Sequence, residues 1–211
     1  MLRKGDFVEI EYAGYDKESG KLFDVTSEEI ARKEGVYDPN FSYKPLTICL
    51  GEGHVLEGLD DTIIGKEDSR KYTFEILPEH GFGKRNQKLL KLVSLELFRK
   101  QNIRPFFGLV VSFDGAMGTV RTVSGGRIVV DFNHPLAGHV LIYDVIIGKT
   151  IDDTQKKIEV VLKFGAPMLS GKYHDNCAEL TGIIAEEHVK HIHDTILRLI
   201  PEIREVKFIK Q

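Results

Sequence analysis

The chain has 211 residues, of which 42% are hydrophobic and 29% charged, and its formal net charge is −3. This composition is typical of a globular protein and excludes a wholly disordered chain, and the slight acidity leaves no overall basic field for non-specific nucleic-acid binding. No apolar stretch reaches the roughly 18 residues that a membrane span needs. We therefore expect neither a nucleic-acid partner nor a membrane.

The cysteine content favours a reducing compartment. Cys49 and Cys177 are far apart in the sequence, and two cysteines make a disulfide framework implausible. The first residues carry charge but are not followed by the apolar core of a signal peptide. We predict a cytoplasmic protein.

The first 86 residues have the pattern of a small sheet with two short helices. Val8, Ile10 and Tyr12 alternate with glutamates, which predicts a strand, and a turn signal then leads to a second strand over Lys21–Val25. Thr26 with Glu29 fits a capping box and predicts a helix through residues 30–34. The remaining predicted elements are a strand over Leu46–Leu50, a short amphipathic helix from Val55 to about Ile63, and a strand through Tyr72, Phe74 and Ile76.

A basic segment follows. Residues 87–130 contain seven Lys and Arg against two Asp and Glu, a net charge of +5, inside an acidic chain, which indicates an inserted subdomain. Ser94 is placed to cap a short helix over Leu95–Lys100. Three predicted strands follow, with hairpin turns at Asp114-Gly115 and Gly125-Gly126: Val110–Phe113, Thr119–Val123 and Arg127–Asp131.

The last third of the chain predicts a small α/β unit after a strongly apolar strand over His139–Gly148. Ile158–Phe164 has the composition of a strand, and residues 165–175 have that of a loop. One apolar face predicts a helix over about Glu186–Ile200, ended by Pro201. A final strand is predicted over Val206–Ile209.

No metal, cofactor or nucleophile motif is complete. His174 and Cys177 lie three residues apart, but no second pair would complete a tetrahedral site. His188, His191 and His193 lie on one predicted helix, where a solvated surface is the simpler interpretation. The glycines form no phosphate-binding loop. We therefore predict neither a metal nor a cofactor.

One group of residues remains unusual. A single acid, Asp24, lies among apolar and aromatic residues at strand ends, at a helix start and in loops: Tyr12, Phe23, Leu46, Ile48, Val55, Leu56, Leu59, Phe82 and Tyr143. By periodicity alone, a hydrophobic core with Asp24 as a turn residue is the favoured interpretation. A ligand-binding hollow is the alternative.

Two motifs resemble a known family. The stretch from Gly51 to Leu59, which reads GEGHVLEGL, is similar to the FKBP-type peptidyl-prolyl cis-trans isomerases. The stretch from Asn133 to Gly138, which reads NHPLAG, resembles the return from the insert-in-flap domain of SlyD-like members, and the additional C-terminal unit resembles the long archaeal forms. The resemblance implies an α+β fold, with an antiparallel half-barrel wrapped on a short helix. It divides the chain into an isomerase domain (1–86 and 131–149), an insert (87–130) and a C-terminal α/β domain (150–211).

The resemblance also implies an activity and a site. The chain is expected to catalyse rotation of X-Pro bonds in folding proteins and to act as a chaperone. The implied catalytic residues are Tyr12, Asp24, Leu56, Phe82 and Tyr143. The implied substrate-binding residues are Phe23, Leu46, Ile48, Val55, Leu59, His134 and Leu136. Three positions depart from the family's usual residues: Leu59 replaces tryptophan, Phe82 replaces tyrosine and Leu46 replaces phenylalanine.

The partners expected from the resemblance are unfolded or proline-containing polypeptides, which the insert would bind, and a second copy of the chain through the C-terminal domain. The alternative function is a holdase chaperone whose isomerase site is weak or vestigial, which Leu59 and Phe82 favour. A metal-handling role is not carried over, because the sequence ends without the histidine-rich tail of some relatives. The sequence identifies neither the clients nor the turnover rate.

Overall fold

The computed structural model describes residues 1–113 and 115–209. Strands β1 to β12 cover, in chain order, Phe7–Asp16, Leu22–Val25, Leu46–Cys49, Arg70–Ile76, Leu90–Ser94, Val110–Phe113, Ala116–Ser124, Arg127–Asp131, Leu141–Thr150, Leu169–His174, Cys177–Gly182 and Glu205–Ile209. Helices α1 to α5 cover Glu28–Lys33, Glu57–Ile63, Leu95–Lys100, Thr154–Gly165 and Glu186–Leu199. Two 3₁₀ turns lie at Pro78–His80 and Gln87–Leu89.

These elements form two compact units. The first contains Met1–Ile76 together with the described residues from Leu141 onward, and the second contains Leu77–Val140. The division into three domains remains a prediction.

The first unit is built on β1. Strand β9 pairs antiparallel with one edge of β1, while β2 and β3 share the other edge, and β4 pairs antiparallel with the far side of β9. Helix α2 packs against β4 through an apolar face that buries Leu59 and Ile63. This antiparallel sheet with a short packed helix confirms the expected α+β class.

The start of α1 differs from the prediction. The helix is capped at Ser27, and the predicted capping box at Thr26 is wrong. The hydroxyl of Thr26 instead accepts a hydrogen bond from the backbone N–H of Tyr12, at 2.8 Å. Because Val25 pairs with Ala13, the chain is still held against β1 at Thr26 and turns into the helix one residue later.

The C-terminal part corrects two further predictions. Ile158–Phe164 is not a strand but lies within α4, and the segment predicted as a loop contains β10. Ile158, Val161 and Leu162 share one helical face, and the carboxylate of Asp153 accepts from the N–H of Lys156 as an N-cap. The predicted helix near the C-terminus and the last strand are confirmed as α5 and β12.

The core of these C-terminal elements extends into the first sheet. Strand β11 pairs antiparallel with β10 and parallel with β12, with α5 as the crossover. Buried side chains of α4 and α5, including Ile158 and Ile192, share one cluster with Phe7 of β1 and Cys49 of β3. Apolar contact therefore fixes the C-terminal elements to the end of the sheet where β1 begins.

The second unit contains a four-stranded antiparallel sheet in the order β5-β8-β7-β6. The three predicted strands are confirmed, and the hydroxyl of Ser94 caps α3 by accepting from the N–H of Leu97. Gly125 and Gly126 both have positive φ, as the tight turn between β7 and β8 requires. Asp114, in the other predicted turn, lies outside the described residues.

Polar groups tie together the chain segments that lead into β5 and out of β8. The buried carboxylate of Asp131 pairs with Arg85 and with Arg121. Asn86 and Asn133 exchange hydrogen bonds, from the N–H of Asn86 to Oδ1 at 2.8 Å and from Nδ2 of Asn133 to the Asn86 carbonyl at 3.0 Å. We call this group of residues the neck.

Within the described ranges, no helix is both long enough and apolar enough to cross a membrane.

Candidate active site

Three aromatic rings meet on the first sheet. Tyr12 lies on β1 and Tyr143 on β9, and their ring centroids are 5.7 Å apart in an edge-to-face arrangement. Phe23 of β2 approaches the same Tyr143 ring at 5.7 Å, nearly perpendicular to it. Such geometry is favourable for aromatic pairs. The sheet therefore presents an aromatic cluster centred on Tyr143.

Gly14 provides the space for this cluster. It pairs with Tyr143 on one side and with Asp24 on the other, between the two strands that carry the rings. A Cβ atom at this position would lie 2.9 Å from both the Phe23 and the Tyr143 rings, which is too close for contact. The sequence alone does not distinguish Gly14 from other glycines, because a glycine within a strand does not identify what fills the space above it.

Asp24 lies at the exposed edge of the aromatic cluster. Its Oδ2 atom accepts a hydrogen bond from the Tyr12 hydroxyl at 3.0 Å. Burial and the Asp24 carboxylate both raise the pKa of Tyr12, and burial followed by Asp24 raises the pKa of Tyr143. Both phenols therefore stay protonated at neutral pH, so Asp24 holds the Tyr12 ring in place instead of removing its proton.

The predicted residues on β3 and α2 differ in exposure. Ile48 and Leu59 are fully enclosed, whereas Leu46, Val55 and Leu56 are half-buried. The latter three therefore have surface that a ligand could contact, whereas Ile48 and Leu59 have almost none. Leu56 is the N-cap of α2, and its carbonyl accepts from the N–H of Leu59.

Side chains fix the loop that leads into α2. The buried carboxylate of Asp60 accepts from the N–H groups of Gly51 and Gly53. Nδ1 of His54 accepts from the N–H of Cys49 at 3.0 Å, and burial lowers the pKa of His54 against the opposing effect of Glu52 and Asp60. His54 is therefore neutral. Asp60 is absent from the residues that the sequence predicts for the site, although an acid on the apolar side of a short helix is a usable signal.

The C-terminal elements hold the same loop from outside. Arg198 of α5 makes two hydrogen bonds to the carboxylate of Glu52, at 2.7 and 2.8 Å. The ring of Phe164, in α4, stacks on His54 with centroids 3.9 Å apart and an interplanar angle of 10°. We call these two contacts the clamp. They fix Glu52 and His54, which lie just before Val55 and Leu56 in the chain.

The other predicted site residues belong to the second unit. The ring of Phe82 stacks on His134, with centroids 4.1 Å apart and planes 8° apart. Nδ1 of His134 accepts from the N–H of Leu136 at 3.2 Å. Phe82, His134 and Leu136 thus contact one another within the second unit. Tyr12, Phe23, Asp24 and Tyr143 form a separate group of contacts within the first unit.

The described residues do not meet the requirements of a reactive thiol at Cys49 or of a metal site with three or more ligands. Burial, aided by Glu52, raises the pKa of Cys49 to about 12, so the thiol is protonated and unreactive. Among the residues with described positions, no group of three or more His, Cys, Asp or Glu side chains could hold a metal ion. Tyrosine hydroxyls, an orienting carboxylate and apolar surface define the site.

Family comparisons agree with this geometry. Residues 1–93 match the model of the FKBP-type peptidyl-prolyl cis-trans isomerases, and residues 91–136 match that of the FKBP26 IF domain. The short-type peptidyl-prolyl cis-trans isomerase of Methanocaldococcus jannaschii is 30% identical over 145 residues, which cover 69% of this chain and 91% of the relative.

Two bacterial relatives extend the comparison. The FKBP-type 16 kDa peptidyl-prolyl cis-trans isomerase of Escherichia coli K12 is 33% identical over 130 residues, 59% of this chain and 81% of the relative. The isomerase SlyD of Treponema pallidum is 29% identical over 118 residues, 53% of this chain and 65% of the relative.

The antiparallel sheet with its packed short helix, together with these matches, identifies the class of protein as a proline isomerase. The chain belongs to the FKBP-type peptidyl-prolyl cis-trans isomerases. Within that family it has the long, SlyD-like form that the sequence motifs predicted.

Proposed function

We propose that the aromatic cluster is the surface on which this isomerase rotates X-Pro bonds of folding proteins. The observation that carries the proposal is the packing of Tyr12 and Phe23 around the buried Tyr143 ring, with Asp24 bonded to the Tyr12 hydroxyl. A proline ring is apolar and compact, and it fits such a surface. Leu46, Val55 and Leu56 complete the walls, and Ile48 and Leu59 support the floor.

The chemistry requires no proton transfer. Rotation about a peptide bond has a barrier of roughly 18–20 kcal/mol, because it breaks amide resonance. Charge separation across the amide falls in the twisted state, so a water-poor apolar surface favours that state over the planar amide. Each reduction of about 1.4 kcal/mol in the barrier accelerates the reaction tenfold. The N–H of Leu56 is proposed to bond the carbonyl that follows the proline.

Phe82, His134 and Leu136 are proposed as further substrate-contacting residues because the family resemblance implies that role for them. Phe82 has no hydroxyl to donate, so it contributes apolar surface only. A missing hydrogen bond weakens binding by about 0.5–1.5 kcal/mol. Turnover is therefore expected to be slower than in relatives with tyrosine at this position.

A peptide assay tests the site. Wild type and the double variant Asp24→Ala/Tyr143→Ala are compared in a protease-free assay on a short proline peptide. We expect clear catalysis by wild type and at least a tenfold lower kcat/KM in the variant. Circular dichroism checks that the variant folds. If wild type gives no rate above background, the alternative function, a holdase chaperone with a vestigial site, is correct.

The second unit is proposed to bind unfolded polypeptide. Its own core uses Phe98, Val120 and Ile128, so these residues are not free for clients. Leu92, Phe106 and Phe107, by contrast, are 64%, 59% and 73% exposed. A contiguous exposed apolar patch marks a binding surface, and we propose that these three residues belong to one. Neighbouring lysines and arginines keep this surface soluble: Lys91, Arg99, Lys100 and Arg104.

Deleting the insert tests this role. Residues 89–130 can be replaced by a short glycine linker, because Leu90 pairs with Asp131 and the two chain ends are therefore close. We expect turnover of a proline tetrapeptide to be unchanged and catalysed refolding of a protein client to slow at least tenfold, since local client concentration is lost. Equal losses on both substrates would contradict this division of labour.

A homodimer through the C-terminal elements is also proposed. Met168 and Ile183 are 76% and 87% exposed and flank the paired residues Leu169 and Gly182. We expect light scattering to give a dimer mass for the full chain and a monomer mass for Met168→Asp/Ile183→Asp. A monomeric wild type at high concentration would refute the dimer.

We further propose a cytoplasmic location, since Cys49 and Cys177 are both buried and unpaired. Cell fractionation tests this, and recovery of the protein in a secreted or membrane fraction would contradict it.

A further inference from the structure

A hollow of about 320 Å³ adjoins the aromatic cluster on its exposed side. One wall is the strand β2, with Leu22, Phe23, Asp24 and Val25, and the other is formed by four residues of the loop after α1: Val36, Asp38, Phe41 and Tyr43. The volume lies at the small end of the range for ligand sites, so it suits one side chain better than a whole cofactor. We call it the flanking hollow.

The walls of the flanking hollow combine apolar surface with negative charge. Phe41 is 56% exposed and packs its edge against the Tyr43 ring, with centroids 4.9 Å apart, which gives it a defined position. Asp24 and Asp38 carry the charge, and the described lining residues include no lysine or arginine. Lysine and arginine side chains match this pattern, because their stems cover apolar surface while their charged ends remain at the polar rim.

The flanking hollow shares Phe23 and Asp24 with the proposed proline site. Phe23 contacts Tyr143 on one side and lines the hollow on the other, and Asp24 both accepts from Tyr12 and lines the hollow. Because Phe23 and Asp24 belong to both places, a residue next to a proline bound over Tyr143 would lie near this wall. The walls therefore receive a side chain that the substrate already brings near them.

We propose that the flanking hollow is a specificity site that binds a lysine or arginine side chain adjacent to the isomerised proline. This inference rests on the proposed location of the proline over Tyr143. The charged end of the substrate side chain lies between Asp24 and Asp38, and its aliphatic part lies on Phe41. Substrates with a cation beside the proline are thereby favoured over those with an acid.

Matched peptides test the proposal with the full-length protein. One set places the test residue immediately before the proline and a second set immediately after it. The test residues are arginine, citrulline as its neutral isostere, norleucine and glutamate. In one of the two sets we expect the arginine peptide to have a kcat/KM about three times that of the citrulline peptide, as is typical of a solvent-exposed ion pair. The glutamate peptide is expected to be the slowest.

Substitutions locate the effect. Asp38→Asn is expected to remove at least half of the arginine preference while leaving the norleucine peptide unchanged. Asp68→Asn, which removes the same charge from an exposed turn before β4, is the control and should preserve the preference. Phe41→Ala should raise KM for the arginine and norleucine peptides alike. An unchanged KM in Phe41→Ala would overturn the proposal.

The possible failures are distinguishable. Equal kcat/KM for arginine and citrulline peptides in both sets, with all peptides turned over, would overturn the specificity site and leave the isomerase site intact. Absence of turnover of every peptide would overturn the proposed proline site and the inference with it. Raised ionic strength provides an independent check, because screening should reduce the arginine preference.

Discussion

Individual residues of the aromatic cluster are held by features that residue type does not reveal. Tyr12 is fixed at both ends: its N–H donates to the Thr26 hydroxyl and its own hydroxyl donates to Asp24. Thr26, which the sequence pattern assigned to helix capping, thus holds the backbone of a proposed catalytic residue. The apolar composition of the proposed site was predictable from the sequence. The hydrogen bonds of Tyr12 to Thr26 and Asp24 were not.

Gly14 gives the residue-scale prediction. Gly14→Ala is expected to displace the rings of Phe23 and Tyr143, because the new Cβ atom would lie 2.9 Å from each. We expect kcat/KM on a proline peptide to fall about tenfold and the free energy of unfolding to fall by about 1–3 kcal/mol, as in other overpacked sites. The measurements are the peptide assay and urea denaturation.

Gly118→Ala is the matched control for that variant. Its new Cβ atom would lie 2.7 Å from Val130 and 2.9 Å from Phe132 within the second unit. A similar loss of stability with unchanged peptide turnover is expected. If the two alanine variants lose turnover equally, Gly14 has no special relation to the site.

At the scale of elements, the neck joins the segment before β5 to the end of β8 and the residues that follow it. Burial acts to raise the pKa of Asp131, but hydrogen bonds from Asn133 and the ion pair with Arg85 outweigh it and lower the value to about 2. A carboxyl whose pKa is depressed by folding contributes stability above its ordinary pKa, and that stability is lost as the pH falls. The neck is therefore acid-sensitive.

The lowered pKa of Asp131 predicts how the stability of the second unit depends on pH. The free energy of unfolding of the second unit should be constant above pH 5. It should fall by on the order of 2 kcal/mol as the pH drops from 3.8, the ordinary pKa of Asp131, to about 2. Hydrogen exchange of amides in β5 and β8 across this range measures it. Asp131→Asn should be less stable at neutral pH and should show a flatter acid profile. An identical profile in the variant would exclude Asp131 as the group responsible.

At the scale of the whole chain, the clamp connects the C-terminal elements to the proposed site. Arg198 and Phe164 hold Glu52 and His54, immediately before Val55 and Leu56. An exposed ion pair contributes about 0.2–1 kcal/mol and a ring stack about 0.5–1.5 kcal/mol, so the clamp is modest in energy but well placed to orient this loop. The C-terminal elements thus support the site as well as their own core.

The clamp gives the whole-molecule prediction. Arg198→Ala/Phe164→Ala should raise KM for a proline peptide about threefold with little change in kcat, because the loop before Leu56 loses two of its fixed partners while the aromatic cluster is untouched. Steady-state kinetics measures the two parameters separately. Arg204→Ala, an exposed arginine after α5, is the control and should behave as wild type. A fall in kcat with unchanged KM would contradict a positioning role.

The sequence by itself determined the family, the strands around the site and the basic insert, because alternation, glycine turns and short motifs are local properties of the chain. It did not determine α4 and β10, since Ile158–Phe164 is apolar at both helical and strand spacing and only its packing on β10 and β11 selects the helix. It also did not reveal the contacts of Gly14, Asp60 and Arg198 near the proposed site, nor that the loop after α1 lines the flanking hollow. These roles depend on contacts between residues far apart in sequence, and only the tertiary structure brings such residues within reach of each other.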